Sequence, residues 1–351
     1  MKRAQENGIF DKEKWVIKGG KRSPLLMRMG VLVMIMVCGV YIGLTGCLNV
    51  VNTPTIIITT SKFIKSNNFQ VNFLQYQSNS SESPYIHYPK PLTFTREECE
   101  CNPVRPFAIL SMQRSGSGWF ETMLNSHINV SSNGEVFSVK ERRNNVSMIL
   151  KTLDQVYNLD WFNSASKNEC SAAVGLKWML NQGLMENQEE IVKYFNLKGV
   201  SVIFLFRRNL LRRMISVLAN SYDKNTKLLN GTHKSHVHSS IEAQVLASYK
   251  PKINATEIEP KLKQEEAIIA QALEFFNSTR HIVLHYEDLI SNCTQKLQEI
   301  QEFLSVPHRN LTSRQVKIHG GPLANQVENW DELESILKKT SYERFLHADY
   351  R

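Results

Sequence analysis

Short apolar runs alternate with amphipathic stretches over the C-terminal two thirds of this chain. Residues 107–112 (FAILSM), 172–176 (AAVGL) and 200–206 (VSVIFLF) read as buried strands, and 281–285 (HIVLH) as a fourth. Between them the pattern changes to helical spacing. It predicts helices opening at Trp119, over 209–222, from Pro260 to about residue 277, and over 288–304. Strands alternating with helices imply an α/β fold: a parallel sheet covered by helices on both faces, with ligands outside the carboxyl ends of its strands.

One run is of a different kind. Residues 29–48 (MGVLVMIMVCGVYIGLTGCL) hold no charge, and twenty residues of helix span about 30 Å, enough to cross a hydrocarbon core. Eight Lys and Arg precede it, so the positive-inside rule keeps residues 1–28 cytosolic and sends everything after residue 48 across the membrane. A cleaved signal peptide is the competing reading, with small residues at Thr45-Gly46-Cys47. The long basic leader and the length of the apolar run favour an uncleaved signal-anchor.

Glycosylation sequons follow the same division. Asn79, Asn129, Asn145, Asn230, Asn254, Asn277, Asn292 and Asn310 each open an Asn-X-Ser/Thr triplet, and all lie beyond the apolar run. Residues 49–104 are rich in Asn, Ser, Thr and Pro without a sustained period. They read as a lumenal stem, leaving 105–351 as the folded domain. Cys38 and Cys47 belong to the span. Cys99, Cys101, Cys170 and Cys293 allow two disulfides in any of three pairings.

The net charge is +9, but five of those charges come from residues 1–28 and only four from 105–351. A nucleic-acid binder would concentrate its charge in the folded part, so that class is excluded. No Asp-X-Asp occurs, which weighs against a metal-dependent glycosyltransferase. The histidines of 233–238 (HKSHVH) read as a solvated loop rather than a metal site.

Two places carry anion chemistry. QRSGSGW (113–119) sets two glycines and two serines between a strand and a helix. Arg114, the backbone N–H groups of Ser115 to Gly118 and the helix N-terminus make a phosphate cradle there. It is not a Walker loop, because G-x-x-x-x-G-K-[ST] is absent. In FLFRRNLLRRMIS (204–216), Arg208 ends a strand and Ser216 lies eight residues on, so the hydroxyl can join the guanidinium around a second phosphate. Arg212 and Arg213 read as a solvated basic helix start. Two such sites on neighbouring strands suit a nucleotide with phosphates at both ends.

These residues resemble the sulfotransferases that use 3′-phosphoadenosine 5′-phosphosulfate (PAPS), especially the membrane-anchored, nodulation-protein-H-like branch. The resemblance covers roughly residues 105–350. It rests on Arg114-Ser-Gly-Ser-Gly-Trp119, Arg208 with Ser216, Tyr286-Glu-Asp-Leu289, Phe303-Leu304 and Gln326-Val-Glu-Asn-Trp330. It implies a nucleotide-kinase-like P-loop fold, PAPS as co-substrate, no metal, and a single-pass type II protein of the Golgi with a glycan hydroxyl as acceptor. A homo-oligomer is left open. Many relatives carry Lys at the position of Arg114; an arginine does not readily give up a proton, so its role becomes charge stabilisation. Trp119 resembles the aromatic residue that packs on adenine, and Glu135 the Gly-Glu element that supplies the base in bacterial relatives. His127, near the end of the first helix, is the rival base, and Lys177 is placed to touch the sulfonate or an acidic acceptor. The competing functions are an inactive nucleotide- or glycan-binding module, which would lack a working base, and another P-loop transferase such as a kinase, which needs magnesium ligands that these motifs do not supply.

Overall fold

The computed structural model describes residue 36, residues 87–163, residue 167 and residues 170–347. The expected cytosolic tail, the expected signal-anchor apart from residue 36, the expected stem up to residue 86 and the Asn79 sequon lie outside the described residues. Among the described residues, no helix is long and apolar enough to cross a membrane.

The core element is β1 (Arg105–Ser111), which leads through the loop of residues 112–116 into α1 (Ser117–Leu124) and then β2 (Val130–Ser132). There follow α2 (Val146–Tyr157), β3 (Ala173–Met179), α3 (Gln188–Lys198), β4 (Ser201–Phe206) and α4 (Leu210–Thr226). Then come α5 (Ser240–Ala247), α6 (Ile258–Phe275), β5 (His281–His285), α7 (Tyr286–Ser291), α8 (Cys293–Phe303) and α9 (Trp330–Leu337). The strands form one sheet in the order β2-β3-β1-β4-β5, and every pairing is parallel.

Alternation hidden within the apolar runs builds the two faces. In β1, Ala108 and Leu110 point to one side, where Leu176, Trp178, Phe204 and Phe206 meet Ile149 and Leu153 of α2 and Phe195 of α3. Phe107 and Ile109 point to the other, against Phe120 and Leu124 of α1 and Leu297 and Ile300 of α8. Three layers result, as the strand–helix alternation predicts. A further cluster joins Leu211 and Ile215 of α4 to Leu262 of α6 and to Leu333 and Leu337 of α9.

Four differences from the sequence reading have local causes. The helix expected over 288–304 is broken at Asn292, whose φ of −129° and ψ of 49° end α7 before α8 begins. The expected stem is not all stem: His87 bridges to Val104, and the Leu92 and Thr93 amides donate to Asp160 at 2.8 and 3.2 Å. Cys99 is bonded to Cys170 across 71 residues, which ties this segment to the start of β3. On a chain-entropy argument such a loop closure contributes about 4 kcal/mol. Cys101 and Cys293 are free thiols, so one of the two disulfides allowed by composition forms. Arg212 and Arg213 are not a solvated helix start: they are 3% and 7% exposed. Arg212 donates to the Gly321 carbonyl at 2.9 Å and Arg213 pairs with Glu265.

Candidate active site

At the carboxyl ends of β1, β3 and β4 the structure opens a cavity of about 490 Å³. Its floor is the loop from β1 to α1. Arg114 and Gly116 there take left-handed backbone angles, φ 64° and 84°, which turn the chain back into the helix. Only glycine fits at 116, because a Cβ would fall 2.3 Å from the ring of Tyr286. The first amides of α1 lack intrahelical acceptors and carry the positive end of the helix dipole. Ser115 is fully buried, and its Oγ finds no partner in the protein. An anion seated in this loop would supply the missing acceptor.

Arg114 is held from two sides. Its Nε donates to Ser216 Oγ at 2.9 Å and its Nη1 to the Ser235 carbonyl at 2.7 Å. Burial, with Arg207 nearby, pushes its guanidinium down to about 10, so it remains a cation at neutral pH. The cavity lining holds Arg114, Lys177, Arg207, Lys224 and Lys317 against one carboxylate, Glu135. This is a site for a polyanion.

On the β3 side, Lys177 lies between two acids. Its Nζ is 3.0 Å from Glu121 and 3.4 Å from Glu135. Burial works to lower its pKa, but the two carboxylates outweigh that and the net shift is upward, so the ammonium is retained. Glu121, projecting from α1, also accepts from Ser132 Oγ at 2.7 Å and from the Gly134 amide at 2.9 Å. It thereby fixes the turn that presents Glu135. The Glu135 carboxylate is one-third exposed, bound by Lys177 on one oxygen and by Gln182 Nε2 at 2.9 Å on the other. Each oxygen keeps acceptor capacity for a substrate hydroxyl.

Curated relatives match most of the folded part. No family model matches the chain. Nodulation protein H of Rhizobium meliloti is 24% identical over 248 residues, 69% of this chain and 95% of the relative. Nodulation protein H of Rhizobium tropici is 22% identical over 251 residues, 70% of this chain and 94% of the relative. Solved structures that are similar include a sulfotransferase from Alicyclobacillus acidocaldarius, at TM-score 0.36 and 14% identity, covering 67% of this chain and 96% of that one. Another is a mouse sulfotransferase complexed with PAP, at TM-score 0.29 and 12% identity, covering 69% and 67%. The match to nodulation protein H spans nearly the full length of that relative.

The residues Arg114, Gly116, Ser117, Gly118, Trp119, Glu135, Lys177 and Ser216 all line one cavity, with Ser115 buried within the same loop. Trp119 meets Tyr286 edge-on, with ring centroids 6.2 Å apart. Two expected residues lie elsewhere. Arg208 is not beside Ser216. Its side chain is 55% exposed and forks onto both oxygens of Asp288 at 3.1 and 2.9 Å. That contact holds the Asp288 carboxyl below its usual range. Consecutive residues at a strand end point to opposite sides, so it is Arg207 that lines the cavity, its guanidinium 5.0 Å over the Tyr286 ring.

His127 is also out of the site. It is 1% exposed, with Nε2 on the Pro307 carbonyl at 2.8 Å and Nδ1 accepting from the Asn129 amide at 3.1 Å. Both nitrogens are occupied at the end of α1 away from the phosphate loop. The structure instead brings in residues that the motifs did not mark: Arg207, Ser235, His236, Lys317 and His319 on the cavity wall, and Glu121 behind Lys177. Burial and the cations Arg114, Arg207 and Arg212 push His319 down to about 4. Gln326 does carry a signal, since its Nε2 donates to the carbonyls of Gly320, Gly321 and Pro322 and so shapes the turn after His319. Among the described residues no cluster of His, Cys, Asp and Glu suits a metal.

Proposed function

We propose that this protein is a sulfotransferase that moves the sulfuryl group from PAPS to a hydroxyl of a glycan, in the lumen of the secretory pathway and without a metal ion. The observation that carries the reading is the cationic cavity built on the 113–119 loop, with buried Arg114 and the orphaned Ser115 hydroxyl beneath it. The 5′-phosphosulfate fits over the loop amides, and the 3′-phosphate lies toward Arg207, Ser216 and Lys317. Trp119 supplies a ring edge for the adenine.

Transfer is an in-line displacement at sulfur. The acceptor oxygen forms the new S–O bond as the bond to the bridging phosphate oxygen breaks. Negative charge grows on that oxygen, where Arg114 and the amides of the loop stabilise it in place. Glu135 takes the acceptor proton. Lys177, tied to Glu121 and Glu135, holds the base in position and lies close enough to meet a sulfonyl oxygen. Gln182 restrains the other carboxylate oxygen and leaves one direction open to the substrate.

Transfer of labelled sulfate from PAPS to members of a glycan panel, with EDTA present, is the expected result for the purified C-terminal part. Binding of PAP with no transfer to any hydroxyl would establish the inactive-module reading instead. Dependence on added magnesium would point to a different P-loop transferase.

The compartment rests on separate support. A charge-free run follows eight basic residues, eight sequons follow the run, and the Cys99–Cys170 bridge belongs to oxidising surroundings. Family resemblance adds the Golgi. In sealed microsomes a C-terminal tag is therefore expected to resist added protease and to shift in mass on N-glycan removal. Digestion of the tag from outside would reverse the orientation, and a chain beginning after Cys47 would replace the anchor with a cleaved signal.

A further inference from the structure

The loop after α4 is built as a strap across the phosphate cradle. Its root is a chain of polar contacts: buried Asp223 of α4 binds His233 Nδ1 at 2.5 Å, and His233 Nε2 meets Ser235 Oγ at 3.2 Å. The Ser235 carbonyl then accepts from Arg114 Nη1 at 2.7 Å. On the other side Val237 is fully buried and bridges to Val316. His236 lies between these two fixed neighbours, so its position is set by both.

Its imidazole rests on the opening turn of α1. A Cβ added at Gly118 would fall 2.4 Å from both Cε1 and Nε2 of this ring. The ring borders the cavity and its surface remains accessible from it. Lys177 of β3, Arg114 of the cradle, Glu135 and His238 of the same loop are the charged or titratable groups that act on it.

Resting on the PAPS reading above, we propose that His236 is a catalytic residue of the transfer: from its place against the opening turn of α1 on the cavity wall, its imidazole touches the phosphosulfate and donates a hydrogen bond to an oxygen of that group. This goes beyond the base and the cradle, since it adds a side-chain donor from the loop after α4. Only a proton is exchanged, taken from solvent when the anion arrives, and no covalent bond to His236 forms. In the ligand-free protein, burial and then the cations Lys177 and Arg114 push the imidazole down to about 4, so it is neutral at physiological pH. A bound phosphate reverses the local charge and raises that pKa again, which couples binding to proton uptake.

The test is calorimetry of PAP binding near about pH 6 in two buffers of different ionisation enthalpy, a pH at which an imidazole returned toward its ordinary value takes a proton. The full chain is expected to take up protons on binding. His236→Asn should take up measurably fewer than the wild type, a difference in which the contributions of His319 and of the PAP phosphates cancel, and its turnover should fall by about 10–100-fold with the acceptor KM little changed. His308→Ala, at an exposed position paired with Glu302 and outside the cavity, should match the wild type in both readouts. Equal proton uptake and equal turnover in His236→Asn and wild type would overturn the role. Absence of any PAP binding by the wild-type chain would overturn the PAPS reading itself, a failure visible before any variant is made.

Discussion

Glu135→Gln lowers turnover about 10²–10⁴-fold while affinity for PAP stays nearly constant. The substitution keeps the side-chain volume and the hydrogen bond with Gln182, but an amide cannot accept the proton of the acceptor hydroxyl. Its effect on the fold is small because the carboxylate is one-third exposed, and because Lys177 keeps its shorter contact, 3.0 Å to Glu121. His127→Ala is the necessary contrast. It removes a ring that is 1% exposed and bridges the Pro307 carbonyl to the Asn129 amide, so it lowers thermal stability and leaves the per-molecule turnover of the folded fraction close to normal. Unchanged turnover in Glu135→Gln, measured at saturating donor and acceptor, would remove Glu135 as the base. Loss of PAP affinity in the same variant would make it a structural support of the cradle.

Much of this site is legible in the sequence because its backbone follows strong local rules. The runs at 107–112 and 200–206 are buried on both faces, and such strands admit no polar residue larger than Ser111 and Ser201 until the chain leaves the sheet. Their ends therefore mark where Gln113 and Arg207 begin to face solvent or ligand. Gly116 is readable for a related reason, since a strand that turns sharply into a helix needs a left-handed residue there. Glycine at 118 is explained only by His236, which arrives from a loop more than a hundred residues later. Nothing in the spacing of HKSHVH says that its middle histidine reaches the cradle. That placement depends on Asp223 capturing His233 and on Val237 pairing with Val316. Glu121 was similarly silent: a polar residue on a short helix shows its partners, Ser132, Gly134 and Lys177, only once β2 and β3 are side by side. The helix over 146–157 is a different case. Asn145 caps it, and Ile149, Leu153 and Val156 recur at helical spacing, so its signal is present in the sequence.

The choice between Arg207 and Arg208 turns on a single residue of register, and it decides where the 3′-phosphate is held. Arg207→Ala is expected to weaken PAP binding by about 2–5 kcal/mol, because it removes a buried charge from the cavity wall beside Arg114 and Ser216. Arg208→Ala removes an exposed pair with Asp288, and such pairs contribute only about 0–1 kcal/mol. Calorimetry with PAP and with the same nucleotide lacking its 3′-phosphate separates the two arginines. The wild type should prefer PAP strongly, Arg207→Ala should lose most of that preference, and Arg208→Ala should retain it. Ser216→Ala should fall between them, since its hydroxyl accepts from Arg114 Nε and steadies that guanidinium rather than carrying a charge. The reverse outcome, preference lost in Arg208→Ala and kept in Arg207→Ala, would mean that the ligand draws Arg208 off Asp288 and into the cavity. The strand-end spacing from Arg208 to Ser216 would then be the better guide to the bound state than the ligand-free geometry.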